Sequence, residues 1–115
     1  MRCHEVVRRV PVADEVVRYA VRLAAATRPH RKDAPEFVNE WVNWGAGTRA
    51  SQYLVLGGKT RAVLQGRAHV TFDDIKALAR PVMRHRIQLN YRAEAEGMNN
   101  DKLIAKLVET VPAKV

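Results

Sequence analysis

Trp44-Gly45-Ala46-Gly47-Thr48-Arg49-Ala50-Ser51-Gln52-Tyr53-Leu54 sets a glycine-bearing turn in front of a long, mostly apolar helix and puts one arginine in that helix's first turn. A helix N-terminus exposes unpaired N–H groups and partial positive charge, so a cation there is unfavourable unless it faces an anion. Arg49 therefore reads as a side chain aimed at something negative. Gly47 is an acceptable N-cap and Thr48 can occupy the first helical position, so the turn is consistent with helix initiation.

The helix is expected over residues 48–65. Ala50, Tyr53, Leu54, Val55, Leu56, Ala62, Val63 and Leu64 occupy more than one of its faces, which predicts the buried centre of the domain rather than a surface helix. Gly57-Gly58 interrupts it, each glycine costing up to about 1 kcal/mol relative to alanine in a helix interior, a cost that close helix packing would offset. The pair lacks a following Lys-Ser/Thr and a preceding strand, so it is a poor phosphate loop.

Upstream, Val6, Val7 and Val10 suggest a weak extended segment over 5–10, ending at Pro11. Over 13–27, Val16, Ala20, Leu23, Ala24 and Thr27 share a face at helical spacing, with Asp14 and Glu15 in the first turn and Arg28-Pro29 at the exit. A polar loop bounded by Pro29 and Pro35 leads to Phe37, Val38, Trp41, Val42 and Trp44, a short helix or turn. Its two tryptophans read as core anchors rather than a stacking platform.

Downstream, Thr71-Phe72-Asp73-Asp74 reads as a capping box that starts a helix through Ile75, Leu78 and Ala79. Arg80-Pro81 reads as a break, with a second short helix over 82–86. Residues 87–91 read as extended and 93–100 as a polar linker; Leu103, Ile104, Leu107, Val108 and Val111 form a last amphipathic helix ended by Pro112. The expected fold is all-α, five to six helices with minor short strands, in a single domain whose ordered part covers about 6–111.

The length of 115 residues suits one domain with a modest core, and 47% hydrophobic with 28% charged residues is a globular composition. No apolar run approaches the roughly 18 residues of a membrane helix and no signal-peptide core follows Met1, so a soluble, cytoplasmic protein without membrane insertion is expected. Cys3 is alone and is given no role. His4, His30, His69 and His85 are scattered without metal-ligand spacing, so no metal site is expected. No nucleophile elbow and no Gly-x-x-x-x-Gly-Lys-Ser/Thr loop is present, so this stretch alone is not expected to be an enzyme. The net charge of +8 invites a rival reading, a free-standing basic helical DNA-binding module in which Lys76, Arg80, Arg84 and Arg86 meet phosphates. The cations are dispersed, without a basic arm or interleaved aromatics, so nucleic acid is not the expected main partner.

Three stretches together carry a resemblance: Trp44 to Gln52; Gly66-Arg67-Ala68-His69-Val70-Thr71-Phe72-Asp73-Asp74-Ile75-Lys76-Ala77-Leu78-Ala79; and Val82-Met83-Arg84-His85-Arg86-Ile87. In order and spacing the chain resembles the C-terminal lid domain of MoxR-type AAA+ ATPases over about 6–111, with Gly47-Thr48 where family members often have Ser-Pro. The resemblance implies a compact AAA+ lid bundle belonging to a larger ATPase whose nucleotide-binding core is absent from this stretch. It makes Arg49 the sensor-2 arginine, the catalytic and cofactor-binding residue that reaches the γ-phosphate of ATP, bound with Mg mainly by that core. Gly45, Ala46 and Gly47 would let the backbone approach the nucleotide, and Tyr19 is a candidate wall of the adenine pocket, with plain core as its alternative. The implied partners are the AAA+ core of the same chain, neighbouring subunits of a homo-oligomeric, typically six-membered ring, and proteins carrying von Willebrand factor A domains; the implied work is chaperone-like remodelling of client proteins.

Overall fold

The computed structural model describes residues 11–32, 34–47 and 49–112, so the extended segment expected over 5–10 lies outside the described residues. Among the described residues, six helices and one two-stranded antiparallel ladder follow in the order α1 (Asp14–Ala26), α2 (Glu36–Trp41), β1 (Val42–Trp44), α3 (Arg49–Leu64), α4 (Phe72–Met83), β2 (Gln88–Leu89), α5 (Tyr91–Ala95) and α6 (Asn100–Thr110). This is the expected all-α bundle with minimal strand.

The core sits where α1, α3, α4 and α6 converge. Tyr19 and Leu23 of α1, Leu54 of α3, Ile75 and Met83 of α4, and Leu103, Ile104 and Leu107 of α6 are fully buried. Each fully buried large apolar side chain contributes about 1.5–3 kcal/mol relative to exposure. Tyr19 meets Phe72 edge to face, 5.7 Å between ring centroids at 79°, joining α1 to the first turn of α4.

Several helix boundaries follow from local chemistry. The capping box is present in full: Thr71 Oγ1 accepts from the Asp74 amide, and the Asp74 carboxylate accepts from the Thr71 amide at 2.8 Å. Asn90 and Asn99 cap α5 and α6 through their side-chain oxygens, accepting from Ala93 N and Lys102 N at 2.9 and 2.8 Å.

Five sequence expectations need correction. Pro81 does not break the chain into two helices: α4 runs through it to Met83, and residues 84–86 form a turn. Proline removes only the amide that would bond the carbonyl four residues earlier; Pro81 is exposed, while Met83 beyond it is fully buried and holds the last turn in the core. The 93–100 linker contains most of a helix, α5, which Tyr91 opens and Asn90 caps, so the extended stretch is only Gln88–Leu89. Residues 42–44 are not helical but form β1, pairing Val42 with Leu89 and Trp44 with Gln88. Trp44 is no core anchor: it is 71% exposed at the end of β1, where the pairing register shifts between Val42 and Trp44 and takes Trp44 off the buried face that Val42 occupies.

The fifth correction concerns α3. It runs uninterrupted through Gly57-Gly58, but only one face is buried, carrying Ala50, Leu54, Gly58 and Ala62. Tyr53, Leu56 and Leu64 are exposed. The glycines do allow close packing: a Cβ on Gly57 would lie 2.7 Å from Leu78 Cδ1, and one on Gly58 3.1 Å from Val70 Cγ1. Gly57-Gly58 therefore brings α4 and the preceding turn onto α3, offsetting the propensity cost.

Candidate functional site

The loop 45–47 and the first turn of α3 are fastened to the exit of α1. Thr27, fully buried at the C-cap of α1, donates its hydroxyl to Ala24 O at 2.6 Å and accepts the Ala46 amide at 2.8 Å. Arg28 Nε donates to the Ala46 carbonyl at 3.1 Å. Both backbone groups of Ala46 are thus held by two consecutive residues of another element, and its side chain is fully buried. Ala46 anchors the loop from below.

The two glycines differ in their surroundings. A Cβ on Gly45 would sit 2.4 Å from the Thr27 carbonyl oxygen and 2.7 Å from Arg28 Cα, so the close approach that requires glycine here is to α1. Around Gly47 nothing lies within 4 Å of an added Cβ, and the residue is exposed. Its carbonyl accepts the Ala50 amide at 3.0 Å, starting the helix. Arg49, the first residue of α3, is exposed, while Ala50 beside it is buried. Among the described residues no carboxylate pairs with Arg49. A guanidinium is thus presented outward from a backbone that Thr27, Arg28 and Ala46 immobilise, an arrangement able to give planar, charge-assisted hydrogen bonds to an oxyanion.

The structure brings Gly45, Ala46, Gly47 and Arg49 into one short surface segment. Tyr19 is not on that surface: it is fully buried on α1, and burial pushes its phenol above its ordinary pKa against the opposing charge of Arg22. In this arrangement its ring serves the core, the alternative the sequence held open. Sequence reasoning missed Thr27 and Arg28 as the fastening of the loop. Threonine at the end of an apolar face looks like an ordinary helix exit, and only the fold shows that β1 returns the chain to it.

It also missed a buried charge cluster beside the site's helix. Asp74 is fully buried and accepts from Arg61 Nη1 at 2.6 Å, from Arg67 Nη1 at 2.7 Å, from Arg67 Nη2, and from the Thr71 amide. Arg67, the Thr71 amide and Arg61 hold the Asp74 carboxyl well below the usual carboxylate range, against the opposing effect of burial. One carboxylate thereby ties the end of α3, the following turn and the start of α4 together. The capping box was legible; its second duty, as counter-ion for two arginines, was not.

The basic residues of the DNA-binding reading do not form one free stripe. Arg84 pairs with Asp101 at 2.8 Å, and Arg86 lies over the Tyr53 ring, 4.8 Å from its centroid. Lys76 and Arg80 remain exposed on α4.

Comparison with known proteins matches this geometry to a family. The family model described as the AAA lid domain matches residues 35–107, more than half of the chain. The chaperone MoxR1 of Mycobacterium tuberculosis is 31% identical over 111 residues, covering 96% of this chain and 29% of that protein. The Bacillus subtilis protein YeaC is 28% identical over 109 residues, covering 95% of this chain and 31% of its own. The chain thus spans less than a third of the length of these curated relatives. A crystal structure of a Cytophaga hutchinsonii protein assigned as an ATPase superposes with a TM-score of 0.87 at 31% identity, over 94% of this chain and 33% of that one. The resemblance read from the three sequence stretches and the all-α lid fold agree with these matches. Among the described residues no helix is long and apolar enough to cross a membrane.

Proposed function

The chain belongs to the AAA lid domain family, and on that premise we propose that it is the lid of a MoxR-type AAA+ ATPase, closing over ATP and Mg held by a core domain of the same polypeptide. In this reading Arg49 is the sensor-2 arginine. It contacts the γ-phosphate when the lid closes and stabilises charge that shifts during phosphoryl transfer. Gly47 gives the backbone an open approach to the nucleotide, Ala46 and Gly45 fix the loop to α1, and Tyr19 supports that helix from within the core.

The observation that carries the reading is the placement of Arg49: exposed, in the first turn of a 16-residue helix, on a loop whose backbone is locked by Thr27 and Arg28. A cation at a helix N-terminus is locally disfavoured, and an incoming polyphosphate removes that penalty. Likeness to a chaperone supports the further reading that the parent protein remodels client proteins; the family resemblance adds assembly into a ring, typically six-membered, in the cytoplasm, with von Willebrand factor A domain proteins as partners.

The test is kinetic. In a polypeptide carrying this lid together with its core domain, Arg49→Ala should lower ATP turnover by about 100- to 1,000-fold, the range for loss of one transition-state charge donor. Arg49→Lys should recover only part of it, since a lysine gives no planar fork. Unchanged ATP affinity and turnover in Arg49→Ala would remove the sensor reading.

A further inference from the structure

Helix α3 carries two apolar faces and the domain covers only one. Ala50, Leu54, Gly58 and Ala62 are buried, whereas Tyr53, Leu56, Thr60 and Leu64 repeat at the same helical spacing on the other side. Of these, Tyr53 is 41%, Leu56 49% and Leu64 82% exposed. Scattered exposed leucines are ordinary, but a contiguous apolar stripe in a groove marks an interaction surface. Between α3 and α4 the stripe borders a groove of about 570 Å³, with Leu78, Pro81 and Val82 on the opposite wall. Gly57 lies in the groove without a side chain, and Leu78 closes on it. On the far side of Leu56 a smaller hollow of about 310 Å³ continues toward Val17 and Val21 of α1, exposed by 37% and 50%. Leu56 is the ridge shared by both.

The charge around this surface has one sign. Arg61 and Arg86 line the groove, Lys59 lines the smaller hollow, and no carboxylate lines either among the described residues. Asp74 answers Arg61 but is shared with Arg67, so two arginines and one aspartate leave that cluster with one net positive charge. Arg86 is held over Tyr53 at the edge of the groove.

We infer that this face docks an amphipathic helix of a partner polypeptide, its leucine-type side chains entering the groove on either side of Leu56 and its flanking carboxylates meeting Arg61 and Arg86. An elongated groove alongside a helix of 16 residues, about 24 Å of rise, suits a second helix laid against it. A second copy of this chain is disfavoured by charge, since it would bring another +8 and another arginine-rimmed face to the contact. Nucleic acid has no counterpart for the apolar floor. The inference rests on the uncovered face of α3 and is independent of the nucleotide role of Arg49.

The probe is a fluorescently labelled synthetic helix of about 20 residues with leucines on one face and glutamates on both flanks. A control peptide carries lysine at every glutamate position. Anisotropy titration with the 115-residue chain should give binding of the glutamate peptide on the order of micromolar, weakening as salt rises, and at least tenfold weaker binding of the lysine peptide. Leu64→Ser and Leu56→Ser, both at solvent-facing positions, should together weaken the glutamate peptide at least tenfold while thermal unfolding stays within about 2 °C of the unmodified chain. Arg86→Gln should weaken it several-fold. Equal binding of both peptides, or no loss in the double serine variant, would overturn the inference. It is equally overturned if sedimentation shows the chain dimerising through Leu56 and Leu64, or if phosphatidylserine vesicles bind in place of the peptide and lose binding in the same variant.

Discussion

Asp74→Asn isolates the buried cluster that holds α3 to α4. The carboxylate accepts five hydrogen bonds, from Arg61, twice from Arg67, and from the amide and the hydroxyl of Thr71. Asparagine keeps one oxygen and offers an NH₂ where an arginine donor stands, leaving two guanidiniums together without a counter-charge. Removing one partner of a buried ion pair costs about 3–5 kcal/mol. Arg61 and Arg67 retain 33% and 29% of their side-chain exposure, so water screens part of the loss and about 2–4 kcal/mol is expected. For a domain of this size that corresponds to a fall in Tm of about 8–15 °C. Urea unfolding followed by far-UV circular dichroism measures it, with the exposed neighbour change Asp73→Asn, expected within about 0.5 kcal/mol, as control. The folded pKa of Asp74 lies below its unfolded value of about 4, so the unfolded chain takes up the proton first. The stabilisation is complete at neutral pH and is lost as pH falls below about 5. The Asn variant should lack that part of the acid slope. A loss under about 1 kcal/mol at pH 7 with an unaltered acid slope would refute the assignment of Asp74 as the joint's counter-ion.

Three smaller perturbations probe other joints. Gly45→Ala forces a Cβ to within 2.4 Å of the Thr27 carbonyl oxygen, a backbone atom that cannot turn aside, so it should cost about 1–3 kcal/mol in urea unfolding, whereas Gly47→Ala, with open space around it, should cost under about 1 kcal/mol. Pro81→Ala should raise stability by about 1–3 kcal/mol, because the helix already passes through this exposed position and gains an amide donor; a loss of stability would contradict the continuous α4. Trp44→Ser should change stability by less than about 0.5 kcal/mol and blue-shift the remaining tryptophan emission toward that of the half-buried Trp41, since Trp44 is the wetter of the two.

The features legible in the sequence were local. Apolar spacing located α1 and α6, and Thr71 with Asp74 announced the start of α4, because capping and periodicity are written in neighbouring residues. The order of the three motif-bearing stretches gave the lid family. What depended on the rest of the fold was not legible. Pro81 continues a helix because Met83 is anchored in a core built from α6 and α1, and residues 42–44 are strand rather than helix because β2, distant in the chain, pairs with them. The two-faced apolar pattern of α3 suggested burial all round; periodicity states that a face is apolar, not what covers it. At the site, the sequence supplied Arg49 and its glycine-bearing turn but not the fastening by Thr27 and Arg28, nineteen and eighteen residues before Ala46 in the chain.

The central claim is that Arg49 meets the terminal phosphate of ATP, and a crystal structure of the lid joined to its core domain with a non-hydrolysable ATP analogue and Mg tests it most directly. The account predicts a guanidinium nitrogen of Arg49 about 2.7–3.2 Å from a γ-phosphate oxygen, with the Ala46 backbone still bonded to Thr27 and Arg28. Arg49 turned to solvent in the closed, nucleotide-bound state, or paired with a carboxylate instead, would contradict it.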